Sequence, residues 1–155
     1  PFIADDLAVI NDNLEIEPGI PRLKIWQDTA SELNINSNNL DQIRLLVDKY
    51  SYPIQKNICM TPQHIKAIFL LDNHDINEFE IEELKGIAKL NELQKHTYRK
   101  FYIKKMGYHK QFFELTSQLA RNTSLYKITR PANKFGFQIE KLINIVENII
   151  TNKNY

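Results

Sequence analysis

The chain has 155 residues, 43% of them hydrophobic and 25% charged, a balance that fits one globular domain and excludes a disordered polymer. Twenty Lys and Arg against nineteen Asp and Glu leave a net charge of +1, so no whole-molecule field draws it to nucleic acid or an anionic membrane. One cysteine, Cys59, excludes an intrachain disulfide framework and a cysteine-cluster metal site. No apolar run approaches the ~18 residues of a membrane helix. Without a visible signal peptide, a reducing, cytoplasmic setting is the default expectation. The chain opens at Pro1 inside an apolar run, which reads as a piece of a longer polypeptide. Its four glycines, Gly19, Gly86, Gly107 and Gly136, are too scattered to build a glycine-rich phosphate loop.

The front half reads as short extended segments between turn signals. Residues 2–4 and 7–10 predict a strand interrupted by Asp5-Asp6, and the turn cluster Asn11-Asp12-Asn13 leads into an alternating segment at 14–17, together a hairpin. After Pro18-Gly19 and Pro21, Leu23 and Ile25 alternate with Arg22 and Lys24, which predicts a third short strand. Residues 29–33 suit one helical turn or two, 34–39 a polar surface loop, and 43–47 either state. Pro53 biases 52–55 toward extended structure, and the apolar run 65–71 predicts a buried strand.

The back half reads as helical. Asn77 resembles an N-cap, with Glu78, Glu80, Glu82 and Glu83 behind it, and Ile81, Leu84, Ile87, Ala88 and Leu90 keep helical spacing. The span 78–106 predicts one long helix or two in succession, closed by Gly107. A helix follows over 110–121, then a short strand over 125–129 ended by Arg130-Pro131. The last helix carries Ile139, Leu142, Ile143, Val146, Ile149 and Ile150 on one face. The class is α/β: a mixed β-sheet front half and a helical carboxyl-terminal half, in a single domain over 1–155.

Asp5-Asp6 is the pair with most chemical content. Carboxylates at a strand end can hold Mg²⁺ and orient or deprotonate a hydroxyl; they also serve simply to solvate a turn. Four histidines, His64, His74, His96 and His109, lack metal-ligand spacing, and Asp72 to Asp75 reads as a strand-to-helix loop. Lys95, His96, Arg99, Lys100, Lys104 and Lys105, interleaved with Tyr98, Phe101 and Tyr102, form either an anion-binding face or a solvated basic helix end.

The string Phe2-Ile3-Ala4-Asp5-Asp6-Leu7-Ala8-Val9-Ile10, followed by Glu17-Pro18-Gly19-Ile20-Pro21-Arg22-Leu23-Lys24-Ile25-Trp26, resembles the segment after the phosphate loop in the HPr kinase/phosphorylase family. It is closer still to the compact HPr-kinase-like serine kinases related to phosphoenolpyruvate carboxykinase. Later blocks are similar in the same order: Lys49-Tyr50, Tyr52-Pro53-Ile54-Gln55, Phe69-Leu70-Leu71, His96-Thr97-Tyr98-Arg99 and Leu125-Tyr126-Lys127-Ile128-Thr129-Arg130-Pro131.

The resemblance implies part of a phosphoenolpyruvate-carboxykinase-like P-loop domain using ATP and Mg²⁺ on a protein or peptide serine acceptor. It implies Asp5 as the base or hydroxyl-orienting residue and Asp6 as the Mg²⁺ ligand, or these roles exchanged. Arg22, Lys24 and Arg99 would then face phosphate or acceptor. The G-x-x-x-x-G-K-[ST] loop is absent from these 155 residues, as is the acidic-arginine-glycine stretch of the bifunctional HPr enzymes. The expectation is therefore a carboxyl-terminal portion, inactive alone, with an uncovered sheet edge that favours dimers or strand exchange. The alternative is a non-catalytic scaffold or binding module that has lost nucleotide; nucleic-acid binding ranks below both, and no membrane role is expected.

Overall fold

The computed structural model describes residues 1–132 and 138–152, which pack as two compact units, Pro1–His64 and the residues from Ile65 onward. Among the described residues there are three small sheets and five α-helices, a mixed α/β fold. None of the helices is long and apolar enough to cross a membrane.

In the first unit, the stretch expected as an interrupted strand is held by isolated bridges instead. Phe2 bridges Ile58 in parallel and Ile10 bridges Ile16 antiparallel, while Asp5 and Asp6 form a bend between them. Asn11 organises the predicted hairpin: its Oδ1 accepts from the backbone of Asn13 and Glu15, both at 3.0 Å, and its Nδ2 donates to Glu17 at 2.8 Å. The named strand that follows, β1 (Glu15–Ile16), pairs antiparallel with β5 (Gln63–His64).

The second sheet has the order β2-β4-β3, formed by β2 (Arg22–Trp26), β3 (Asp41–Arg44) and β4 (Val47–Pro53), all antiparallel. Thus the undecided segment at 43–47 holds the end of β3, a two-residue turn at Leu45 and Leu46, and the start of β4. Helix α1 (Gln27–Glu32) follows β2 directly, and its Ala30 is fully buried, as nearly is Ile25 of β2. The loop expected over 34–39 contains a 3₁₀ turn, Ser37–Asn39, whose buried Ser37 hydroxyl donates to Gln27 Oε1 at 2.8 Å.

The second unit is centred on β8 (Ser124–Pro131), the middle strand of the order β6-β8-β7. It runs parallel to β6 (Ala67–His74) and antiparallel to β7 (Glu80–Leu84). Central strands bury both faces, and Leu125 and Ile128 are fully inaccessible to solvent. Phe69 and Tyr126, opposite each other in register, stack with ring centroids 5.5 Å apart. The predicted strand ended at Arg130-Pro131 continues through both residues. Likewise, the Asp72 to His74 stretch expected as loop completes β6, where Asp72 pairs with Lys127 at 3.3 Å.

The carboxyl-terminal half is therefore not simply helical, and the expected helix over 78–106 is overturned at its start. Glu80 to Leu84 are strand β7, with Ile81 opposite Ile128, Glu82 opposite Lys127 and Leu84 opposite Leu125. Apolar and opposite-charge cross-strand pairs outweigh the helical propensity of the glutamates. Helices α2 (Gly86–Lys95) and α3 (Lys100–Lys105) follow in succession. At the end of α2 the Thr97 hydroxyl donates back to Leu93 O, and Arg99 adopts a left-handed backbone, φ 49°, so the two cannot merge. Gly107, at φ 79°, closes α3 in the conformation that favours glycine. Helices α4 (His109–Asn122) and α5 (Ile139–Asn152) match the predicted spans closely.

Candidate functional site

The Asp5-Asp6 bend is pinned against the outer edge of β2. Gly19 donates its N–H to Ile3 O at 2.8 Å, and a Cβ at Gly19 would meet Ala4 Cβ at 3.3 Å, so the close approach of these segments favours glycine. Further along, the backbone N–H of Lys24 donates to Asp5 Oδ2 at 2.9 Å. This contact fixes the first acid on a strand edge whose N–H would otherwise face solvent.

Strand alternation puts Arg22, Lys24 and Trp26 on one face of β2, and the β2–β4 register sets Lys49 opposite Trp26 and Ser51 opposite Lys24 on that same face. Lys24 Nζ reaches Asp6 Oδ2 at 2.9 Å, and Lys49 Nζ lies 3.8 Å from the same oxygen. Lys49 also sits over the Trp26 ring, 5.3 Å from its centroid. The result is a half-exposed cluster of two acids and two ammonium groups drawn from three segments. The hydrogen bond from Lys24 holds the Asp6 carboxyl below the usual carboxylate range, helped by the charges of Lys49 and Lys24 against the opposing effect of burial.

Four of the five residues singled out from sequence fall in the first unit. Asp5, Asp6 and Lys24 are in direct contact; Arg22 shares the strand face of Lys24 without a hydrogen bond or ion pair to either acid. Arg99 belongs to the second unit, where its guanidinium lies over the rings of Tyr98 (5.1 Å) and Tyr102 (5.8 Å). Sequence reasoning missed Lys49 as a member of the site. Only the pairing of β2 with β4 brings it beside Asp6, and the sole hint in the sequence was the resemblance of the Lys49-Tyr50 block.

Phosphoryl-transfer sites bind Mg²⁺ through one or two carboxylates, with phosphate oxygens and water completing the shell. Asp5 and Asp6 are carboxylates of that kind, and the side-chain contacts they make among the described residues run through Oδ2. No group of three or more His, Cys, Asp or Glu side chains converges among the described residues, so a cage made wholly of protein ligands is not offered there. Compared with protein-family models, with curated proteins and with solved structures, the chain finds no match.

Proposed function

We propose that this chain supplies the acid-bearing part of an ATP-dependent, HPr-kinase-like serine kinase, with the phosphate-gripping loop contributed by other polypeptide. The observation that carries this reading is the convergence of the Asp5-Asp6 bend with the side chains of Lys24 and Lys49 beside β2. The ordered resemblance along the chain supports it.

Phosphoryl transfer leaves little covalent work to the protein; it needs a positioned hydroxyl and fixed charges around the equatorial oxygens. Asp6, whose ionised carboxylate is stabilised by its lysine partners, is suited to binding a cation. That leaves Asp5, anchored through one oxygen on the Lys24 N–H, to accept the hydrogen bond of the acceptor serine. Lys24 and Lys49 swing from Asp6 to phosphate oxygens when these are present, with Arg22 on the same face as a further cation. Mg²⁺ bound with ATP would supply the remaining neutralisation of phosphate charge.

A second reading has an observation of its own. Asp6 is already paired with two ammonium groups, as expected of a scaffold or binding module that no longer takes nucleotide. The two readings separate by NMR on the full-length gene product titrated with Mn²⁺ and ATP. The kinase reading predicts paramagnetic broadening centred on the amides of Asp5, Asp6 and Lys24, abolished in Asp6→Asn. An absence of local broadening decides for the binding module.

A further inference from the structure

The second unit contains a cleft of about 460 Å³ between the end of α2, helix α3 and the start of α4. That volume lies in the range of small-molecule sites, which are mostly apolar with a few placed polar groups. Phe101, Ile103, Phe112 and Phe113 line it, and two of these rings, Phe101 and Phe113, are more than half exposed. Gln94, whose amide donates to the Thr116 hydroxyl at 3.3 Å, forms a fixed part of the wall.

The charges at the cleft are all of one sign. Lys100 and Lys104, one turn apart on α3, both line it, together with His109. No carboxylate lines it, and neither lysine forms a salt bridge among the described residues. The neighbouring cations are otherwise engaged. Lys95 pairs with Glu92, Lys110 with Glu114, Lys105 lies 4.4 Å from the Phe101 centroid, and Arg99 stacks on its tyrosines. An apolar cavity flanked by two unpaired ammonium groups is complementary to an apolar body that ends in an anion.

We propose that this cleft binds an amphipathic carboxylate, an aliphatic chain or aromatic ring with one carboxylate head. The apolar part lies against Phe101, Phe112 and Phe113, and the head is held by Lys100 and Lys104. The proposal is independent of the phosphoryl-transfer reading, which concerns the first unit.

The test is binding of decanoate to the full chain, below its micellar concentration, followed by NMR shifts of the Ile103 and Phe112 amides. Decanol, of equal chain length and no charge, is the control. Decanoate is expected to bind at least about tenfold more tightly than decanol, because its head gains charge-assisted hydrogen bonds. In the double variant Lys100→Met, Lys104→Met the two ligands should bind alike, with an unchanged unfolding midpoint showing that the fold is kept. Phe113→Ala, a half-exposed position, should weaken both. Equal binding of decanoate and decanol to the wild type, a preference that survives the double variant, or no shift at the cleft at millimolar decanoate would each overturn the proposal.

Discussion

The ammonium of Lys24 lies 2.9 Å from Asp6 Oδ2, across eighteen positions of sequence, and its own backbone N–H holds the neighbouring acid, Asp5, at the same distance. One lysine on an edge strand therefore lowers the Asp6 pKa and fixes the location of Asp5. Replacing it by methionine keeps the backbone donor and removes the ammonium. In Lys24→Met the Asp6 pKa should rise toward its ordinary 3.8, because the largest cause of its depression is gone. Side-chain carboxyl ¹³C shifts followed through an acid titration measure this; an unmoved Asp6 midpoint would assign the depression to other groups.

A lowered carboxyl pKa in the folded state stabilises the fold above the unfolded value and loses that contribution as pH falls through the folded value. For Asp6 the contribution is present above pH 3.8 and disappears below it. The pair is partly solvent-exposed, so the effect is screened to less than about 1 kcal/mol. Trp26, the single tryptophan, reports unfolding of this unit. Its urea midpoint should drop on acidification by more in the wild type than in Asp6→Asn.

Leu125 and Ile128, both fully buried on β8, carry the centre of the second unit. Ile128→Ala removes methyl groups from a site with neighbours on two strands and should cost about 2–5 kcal/mol. The measurement is urea unfolding followed by circular dichroism. Ile81→Ala, half-exposed on the edge strand opposite, should cost clearly less.

At the tip of the β3–β4 hairpin Leu46 is fully exposed and sits at φ 65°. A left-handed backbone costs an ordinary L-residue about 1–2 kcal/mol, and no burial compensates here. Leu46→Asn should therefore raise the unfolding midpoint, whereas Leu46→Val, stiffer at the same φ, should lower it. An unchanged midpoint in both would mean that the turn relaxes freely.

Elements whose signals are local were legible in the sequence. The alternation around Leu23 and Ile25 gave β2, the apolar stripe from Ile139 to Ile150 gave α5, and the span 110–121 gave α4. Strand β7 was not, because its glutamates at 80, 82 and 83 imitate an acidic helix start. Only the facing strand, with Lys127 opposite Glu82 and Ile128 opposite Ile81, makes the extended form the better one. The candidate site divides along the same line. Asp5, Asp6 and Lys24 stood out by residue type and resemblance, whereas Lys49 depends on strand register, and Arg99 lies in the other unit.

The role of Asp5 in phosphoryl transfer is measured most directly by transfer of the γ-phosphoryl group of ATP to a serine peptide by the full-length gene product, wild type against Asp5→Asn. The near-isosteric change keeps the fold and removes the proton acceptor, so the rate should fall by about a hundredfold or more. Transfer at the wild-type rate in Asp5→Asn, or no transfer by the wild type at any Mg²⁺ concentration, would contradict the account.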